Sequence, residues 1–241
     1  MIEAAINRIL DLKDPAIAVV NDETWVKDGY KYAKPTTPTM LTLYSLNSLV
    51  DYLKDNVDQH NPKDLMVHVI NFRTVRVISH LDLIHRCRDE YVQSVYDPTS
   101  PYASYDDYMT LENFKIWLLT DFEDNEDRQA ILRLVGNVSD QQVKTATDDG
   151  ISQAVSSRVG IAKVETAMVP NPVKLIPFRT FSEVRQPRSN FVLRMQSGIR
   201  EGDLPKAALF EADGGEWKVN AMLNIKSWLK DALPNDISVI G

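Results

Sequence analysis

TATDDGISQAVSSRVGIAKVETAMVPNPVKLIPFRTFSEVRQPRSNFVLRMQSGIREGDLPKAALFEADGGEWK, residues 145–218, decides the fold. Phe191, Leu193 and Met195 alternate with Val192, Arg194 and Gln196, the period of two that a strand requires. By the same criterion, residues 143–147, 151–159, 161–169, 173–183, 190–196 and 206–212 read as strands. Asp148-Asp149-Gly150 is a hairpin-turn signal, and Arg158-Val159-Gly160 a bulge or second turn. Pro170-Asn171-Pro172 breaks the run, and 197–205 forms a loop with two glycines and a proline. After Gly214-Gly215, Trp217, Ala221, Ile225, Trp228 and Leu229 share one helical face, and Pro234 stops the helix. Residues 237–240 suit a last edge strand.

On the N-terminal side, Ile2, Ile6, Ile9 and Leu10 fit a short helix, followed by strands over 16–20 and 24–32 and a proline-bearing connector at 34–38. Leu46, Leu49, Val50 and Leu53 form the stripe of a helix that Thr42 or Ser45 caps. Runs at 65–72 and 74–79 pair as strands, both faces partly buried, and a third run covers 84–95. Thr110 caps a helix whose stripe is Leu111, Phe114, Trp117 and Leu118, with Met109 and Phe114 placed for a hydrophobic staple. Five carboxylates within residues 121–127 separate it from a helix carrying Ile131, Leu134 and Val135 and stopped by Gly136-Asn137. The expected class is α+β: mixed, mainly antiparallel sheets with a helical hairpin and a C-terminal helix packed on them. The expected parts are an α+β subdomain over 1–137 and a strand-rich one over 138–241 with its closing helix, either separate or one intimate domain.

Composition is that of a globular chain, with 44% hydrophobic and 25% charged residues. The net charge of −7 argues against wholesale coating of nucleic acid or anionic membrane. From Arg158 to Lys206, however, nine Lys/Arg face four Asp/Glu, a local +5 that leaves −12 elsewhere. Cys87, the single cysteine, excludes an intramolecular disulfide framework and fits a reducing cytoplasm. No apolar run approaches membrane-spanning length, and residues 1–5 lack a signal-peptide pattern, so the expectation is a protein of the host cytoplasm.

Ordered pieces of the chain carry a resemblance. They are residues 46–53, 111–114, Thr147-Asp148-Asp149-Gly150-Ile151-Ser152-Gln153, 169–173, Pro177-Phe178-Arg179-Thr180-Phe181, Gln186-Pro187, 191–195 and 208–215. Together the chain resembles the phage-encoded family related to the prophage protein YfdQ, a domain of unknown function. The resemblance implies a phage or prophage protein acting inside a bacterial host. It implies no activity and carries over no catalytic residue.

Candidate chemistry is sparse. Asp213 with Glu216 and Lys218 has the residue types of a metal-dependent nuclease but not the spacing, and helix capping explains the acids. Asp148, Asp149 and Glu165 suit a metal only if neighbouring strands converge, and the Asp pair suits a turn. His80, His85 and Cys87 lack a fourth zinc ligand. The reading is therefore no catalytic residue, no metal and no cofactor. Arg179, Arg185, Arg188, Arg194 and Arg200 with Phe178 are the candidate binding residues, since guanidinium groups beside aromatic rings can hold phosphate and stack on bases. Phe178, Phe181 and Phe191 equally suit a core, and the five tyrosines from Tyr91 to Tyr108 suit a contact surface or a packed loop.

The leading expectation is a non-enzymatic phage accessory protein that binds, with itself as partner in a homo-oligomer. The alternatives are a nucleic-acid-binding helper of recombination or replication, and an anti-defence protein that sequesters a host nucleotide signal or host protein. No membrane partner is expected.

Overall fold

The computed structural model describes residues 39–83, 86–97, 105–137, 170–196 and 204–241, together with the backbone of five short strands outside them. Two units result, Met1–Thr39 and Met40–Gly241. The first holds an antiparallel sheet of β1 (Ile17–Val20), β2 (Glu23–Val26) and β3 (Lys31–Tyr32). The expected strand over 24–32 is thus two strands, β2 and β3. The expected helix around Ile6 lies outside the described residues.

The second unit begins with β4 (Leu41–Leu43), α1 (Leu46–Lys54), β5 (Leu65–Asn71), β6 (Thr74–Ser79) and β7 (Glu90–Val95). Then come β8 (Met109–Thr110), α2 (Leu111–Asp121), α3 (Glu126–Asn137), β9 (Ala154–Val159) and β10 (Lys163–Met168). It closes with β11 (Val173–Leu175), β12 (Ser189–Gln196), β13 (Lys206–Glu211), α4 (Glu216–Ala232) and β14 (Ser238–Ile240). The class is α+β, with two mostly antiparallel sheets, four α-helices among the described residues and a C-terminal helix.

The larger sheet has the order β14-β5-β6-β7-β4. Its inner pairs are antiparallel, and each edge strand joins in parallel. Register aligns Val67 with Val77 and Val77 with Val92, so one face carries a row of valines. Leu49 and Leu53 of α1, and Ile225 and Leu229 of α4, close this core. Each fully buried aliphatic side chain there contributes about 1.5–3 kcal/mol. On the opposite face Met66 and Ile78 are paired and also buried, the two-sided burial expected of β5. β14 supplies the expected last edge strand. The run expected over 84–95 shrinks to β7.

The second sheet has the order β11-β12-β13-β8. Phe191, Leu193 and Met195 point into a core shared with Phe114 and Leu118 of α2 and Ile131 and Val135 of α3. The hairpin expected from the sequence therefore packs on a sheet, and its core crosses Asn137, where the two-part reading placed a boundary. Among the described residues, β9 and β10 form a two-stranded antiparallel sheet with each other rather than extending that one. The expected strand at 143–147 lies outside the described residues.

The strand expected over 173–183 ends at Leu175. Pro177 has no N–H for a ladder and makes only an isolated bridge to Phe122, flanked by the Phe178 N–H donating to the Asp121 carbonyl at 2.9 Å; beyond that, side chains hold the loop. Gln186 accepts from the backbone N–H groups of Arg179 and Thr180 at 3.1 and 3.3 Å, and its amide donates to the carbonyls of Thr180 and Phe181. This buried amide replaces the missing ladder partners.

Candidate functional site

The site is built where the ordered loop 176–187 meets the second sheet and the start of α4. Arg179 is fully buried. Its Nη1 donates to the Glu211 carboxylate, forming an ion pair, and its Nη2 donates to Ser189 Oγ. Its Cζ lies 3.8 Å from the ring centroid of Trp217, a cation–π contact. Thr180 Oγ1 donates to the carbonyl of Phe72, tying the same loop to the β5–β6 turn of the larger sheet. Phe72 in turn meets Trp217 edge-on at 4.6 Å.

Above this cluster lies a cleft of about 180 Å³. Ser189 and Trp217 line it, together with Lys174 and Arg188 from the sheet side and Asp213 and Glu216 from the head of α4. Asn190 and Asn220 add amide groups. Gly214 and Gly215 both take positive φ, 62° and 84°, where an L side chain is strained. That turn aims the helix start at the cleft edge. Asp213 Oδ1 accepts from the Gly215 N–H at 2.9 Å, which closes the turn before α4; the N-cap is Gly215 and no side chain caps the helix, so the acids do not act as the caps the sequence suggested. Asp213 Oδ2 and the indole Nε1 of Trp217 are buried without hydrogen-bond partners.

A second cleft of about 250 Å³ lies beside the same loop, lined by Tyr44, Tyr96, Phe178, Phe181, Thr180 and Glu183 among others. Glu183 Oε1 accepts from the N–H groups of Leu46 and Asn47 at 2.7 and 3.2 Å. It caps α1 from a distance, alongside Ser45, whose Oγ accepts from Ser48 N–H.

The candidate binding residues do not form one face. Arg179 is interior, and its guanidinium is committed to Glu211, Ser189 and Trp217. Arg188 is exposed and lines the first cleft, whereas Phe178 is half-buried and lines the second. Arg185 is exposed, and its carbonyl accepts from Asn224 Nδ2. Arg194 is half-buried on β12, opposite Ala208. Arg200 lies outside the described residues. Phe181 and Phe191 are core residues. Trp217 and Lys174 were not among the candidates, and Asp213 was weighed only as a metal ligand beside Glu216 and Lys218, because their place along one cleft depends on the pairing of β11 with β12 and on the turn before α4.

His85, Asp148 and Asp149 lie outside the described residues, as does the Glu165 side chain. Among the described residues no three His, Cys, Asp or Glu side chains converge as a metal site would. The acidic run at 121–127 is structural. Asp127 Oδ2 accepts from Lys174 N–H at 2.7 Å and Asn125 Nδ2 donates to the Lys174 carbonyl, so edge strand β11 is covered. Arg128 donates to the Phe122 carbonyl and to Asp124, closing the α2–α3 turn. Of the tyrosines, Tyr105 packs on Trp117 and Phe191, and Tyr108 meets Phe210.

No family model matches the chain, and neither a curated protein nor a solved structure matches it. No helix among the described residues is long and apolar enough to cross a membrane.

Proposed function

We propose that this chain is a phage or prophage accessory protein that works in the host cytoplasm by binding and self-assembly, without catalysing a reaction. The observation that carries the assembly reading is the outward face of α2. Ile116 and Leu119 stand there 53% and 55% exposed, one helical turn apart, although Phe114 and Leu118 already fill the core side. A surface helix apolar on both sides is suited to a second partner. Glu112 and Lys115 share that outward stripe, so it carries both signs of charge, as a self-complementary patch between two copies requires. The sequence resemblance supports the phage origin.

Light scattering coupled to gel filtration tests the assembly. The wild type is expected as a defined oligomer at micromolar concentration, and Ile116→Glu with Leu119→Glu as a folded monomer. A monomeric wild type overturns the assembly reading.

Exposed Arg185 and Arg188 favour the nucleic-acid-binding alternative. It requires binding of a single-stranded oligonucleotide that weakens steeply with salt and is lost on substituting both arginines.

A further inference from the structure

The chain holds its own guanidinium groups in a recurring way. Arg179 is set against the ring of Trp217, the carboxylate of Glu211 and the hydroxyl of Ser189. Arg73 Cζ stands 5.6 Å from the ring centroids of both Phe72 and Tyr96. A planar cation that stacks on a ring and donates to a carboxylate satisfies its face and its edge at once.

The cleft of about 250 Å³ beside the loop 176–187 offers the same kinds of group to solvent. Tyr44, Tyr96, Phe178 and Phe181 supply rings, Asp97 and Glu183 carboxylates, and Ser182 a hydroxyl. Among the described residues no Lys, Arg or His lines it. Tyr44 is 60% exposed, and Tyr96 and Phe178 are half-buried, so three rings keep surface that a ligand can cover. The fold brings them together. β4 and β7 run parallel with Leu43 level with Ser94, so the two strands end side by side and deliver Tyr44 and Tyr96 to one edge of the core. Buried Phe181 meets Tyr96 edge-on at 6.2 Å and fixes the wall.

Glu183 supplies the charge. It is half-buried, and neutral donors alone hold its carboxylate: the Leu46 and Asn47 N–H groups at Oε1, and the Ser182 hydroxyl 3.3 Å from Oε2. No cation pairs with it among the described residues. Capping of α1 accounts for Oε1, not for the rings gathered beside it, and Oε2 keeps room for a further donor.

We propose that this cleft binds a guanidinium group on an alkyl stem, carried by an arginine side chain of a partner polypeptide or by a free guanidino compound. The cation stacks on the exposed rings and donates to Glu183 Oε2. A phosphate or carboxylate would face two carboxylates, and a primary ammonium has no flat face to lay on a ring. The volume lies below the roughly 300 Å³ at which drug-sized pockets begin, which suits one side-chain-sized group. The site draws on no residue of the outward α2 face, so it stands or falls independently of assembly.

The test is titration calorimetry of the full chain with acetyl-Gly-Arg-Gly-amide, its citrulline and lysine counterparts, and agmatine, each at millimolar concentration. Citrulline replaces the guanidinium by a neutral urea of the same shape. The arginine peptide is expected to bind saturably, with the citrulline and lysine peptides roughly tenfold weaker or more. Agmatine binding as tightly as the arginine peptide assigns the site to free guanidino compounds; binding by the peptide alone assigns it to a polypeptide. Tyr44→Ala is expected to weaken binding roughly fivefold and Glu183→Gln roughly tenfold. Tyr44 is exposed, and a glutamine oxygen can still accept from the α1 N–H groups, so both variants are expected to fold, which far-ultraviolet circular dichroism checks. The proposal is overturned if neither the arginine peptide nor agmatine binds, if the citrulline or lysine peptide binds equally well, or if both variants keep wild-type affinity.

Discussion

Arg179 places its guanidinium over the indole of Trp217, Cζ to centroid 3.8 Å, inside the protein. The contact joins the loop after β11 to the first turn of α4. The same arginine reaches β12 through Ser189 and β13 through Glu211. One cation thereby holds three elements, and its neighbour Thr180 ties the loop to the larger sheet.

Arg179→Met removes one partner of a buried pair. A loss of about 3 kcal/mol is expected, since breaking such a pair strands the remaining polar groups. Arg185→Gln and Arg188→Gln, both exposed, should stay within about 0.5 kcal/mol of wild type. Urea unfolding separates the two outcomes. An equal, small effect for all three substitutions would contradict the buried role.

Gln186→Leu keeps apolar volume but takes the side-chain partners from Arg179 and Thr180 N–H. Unmet buried amides make this cost about 2 kcal/mol. Amide hydrogen exchange should rise across residues 179–186 and leave β5 unchanged.

Asp127→Ala frees the Lys174 N–H and uncovers edge strand β11. Stability should fall by about 1 kcal/mol, and exchange of the Lys174 amide should accelerate. Unchanged exchange there would show that the acidic turn does not protect the edge.

The Gln129 amide, then Arg128, hold the Asp124 carboxyl below its usual range, against an opposing effect of desolvation. A depressed folded pKa gives stability that is present above the unfolded value of about 3.9 and lost as pH falls through the folded one. Asp124→Asn should therefore lose less thermal stability than wild type between about pH 5 and pH 3. Parallel curves would contradict the assignment.

Burial, then its hydrogen bond to Asp58 (2.8 Å), push the Tyr52 phenol well above its ordinary value. A raised folded pKa gives stability that is complete below the unfolded value of about 10 and lost as pH rises beyond it. Tyr52→Phe should be less stable by about 1 kcal/mol at neutral pH and show a flatter alkaline decline. Thermal melts across the alkaline range check this.

Local pattern alone carried much of the architecture. The stripe of Leu46, Leu49, Val50 and Leu53 is the buried face of α1, and Thr110 Oγ1 accepts from Asn113 N–H as a cap should. The alternation of Phe191, Leu193 and Met195 sets the inward face of β12. These features follow from periods of 3.6 and 2 and from capping chemistry, which act over a few residues.

Only the tertiary structure decided which charges face water. Arg179, Arg185 and Arg188 lie within ten positions of one another, yet one is wholly buried and two are exposed. Nothing nearby in the chain distinguishes them, because the groups that bury Arg179 stand on β12, β13 and α4. The cleft is equally non-local. Lys174, Arg188 and Asp213 meet because β11 pairs with β12 and because two glycines turn the chain before α4. Periodicity reports the face of an element; pairing, register and the packing of a helix end bring distant side chains together.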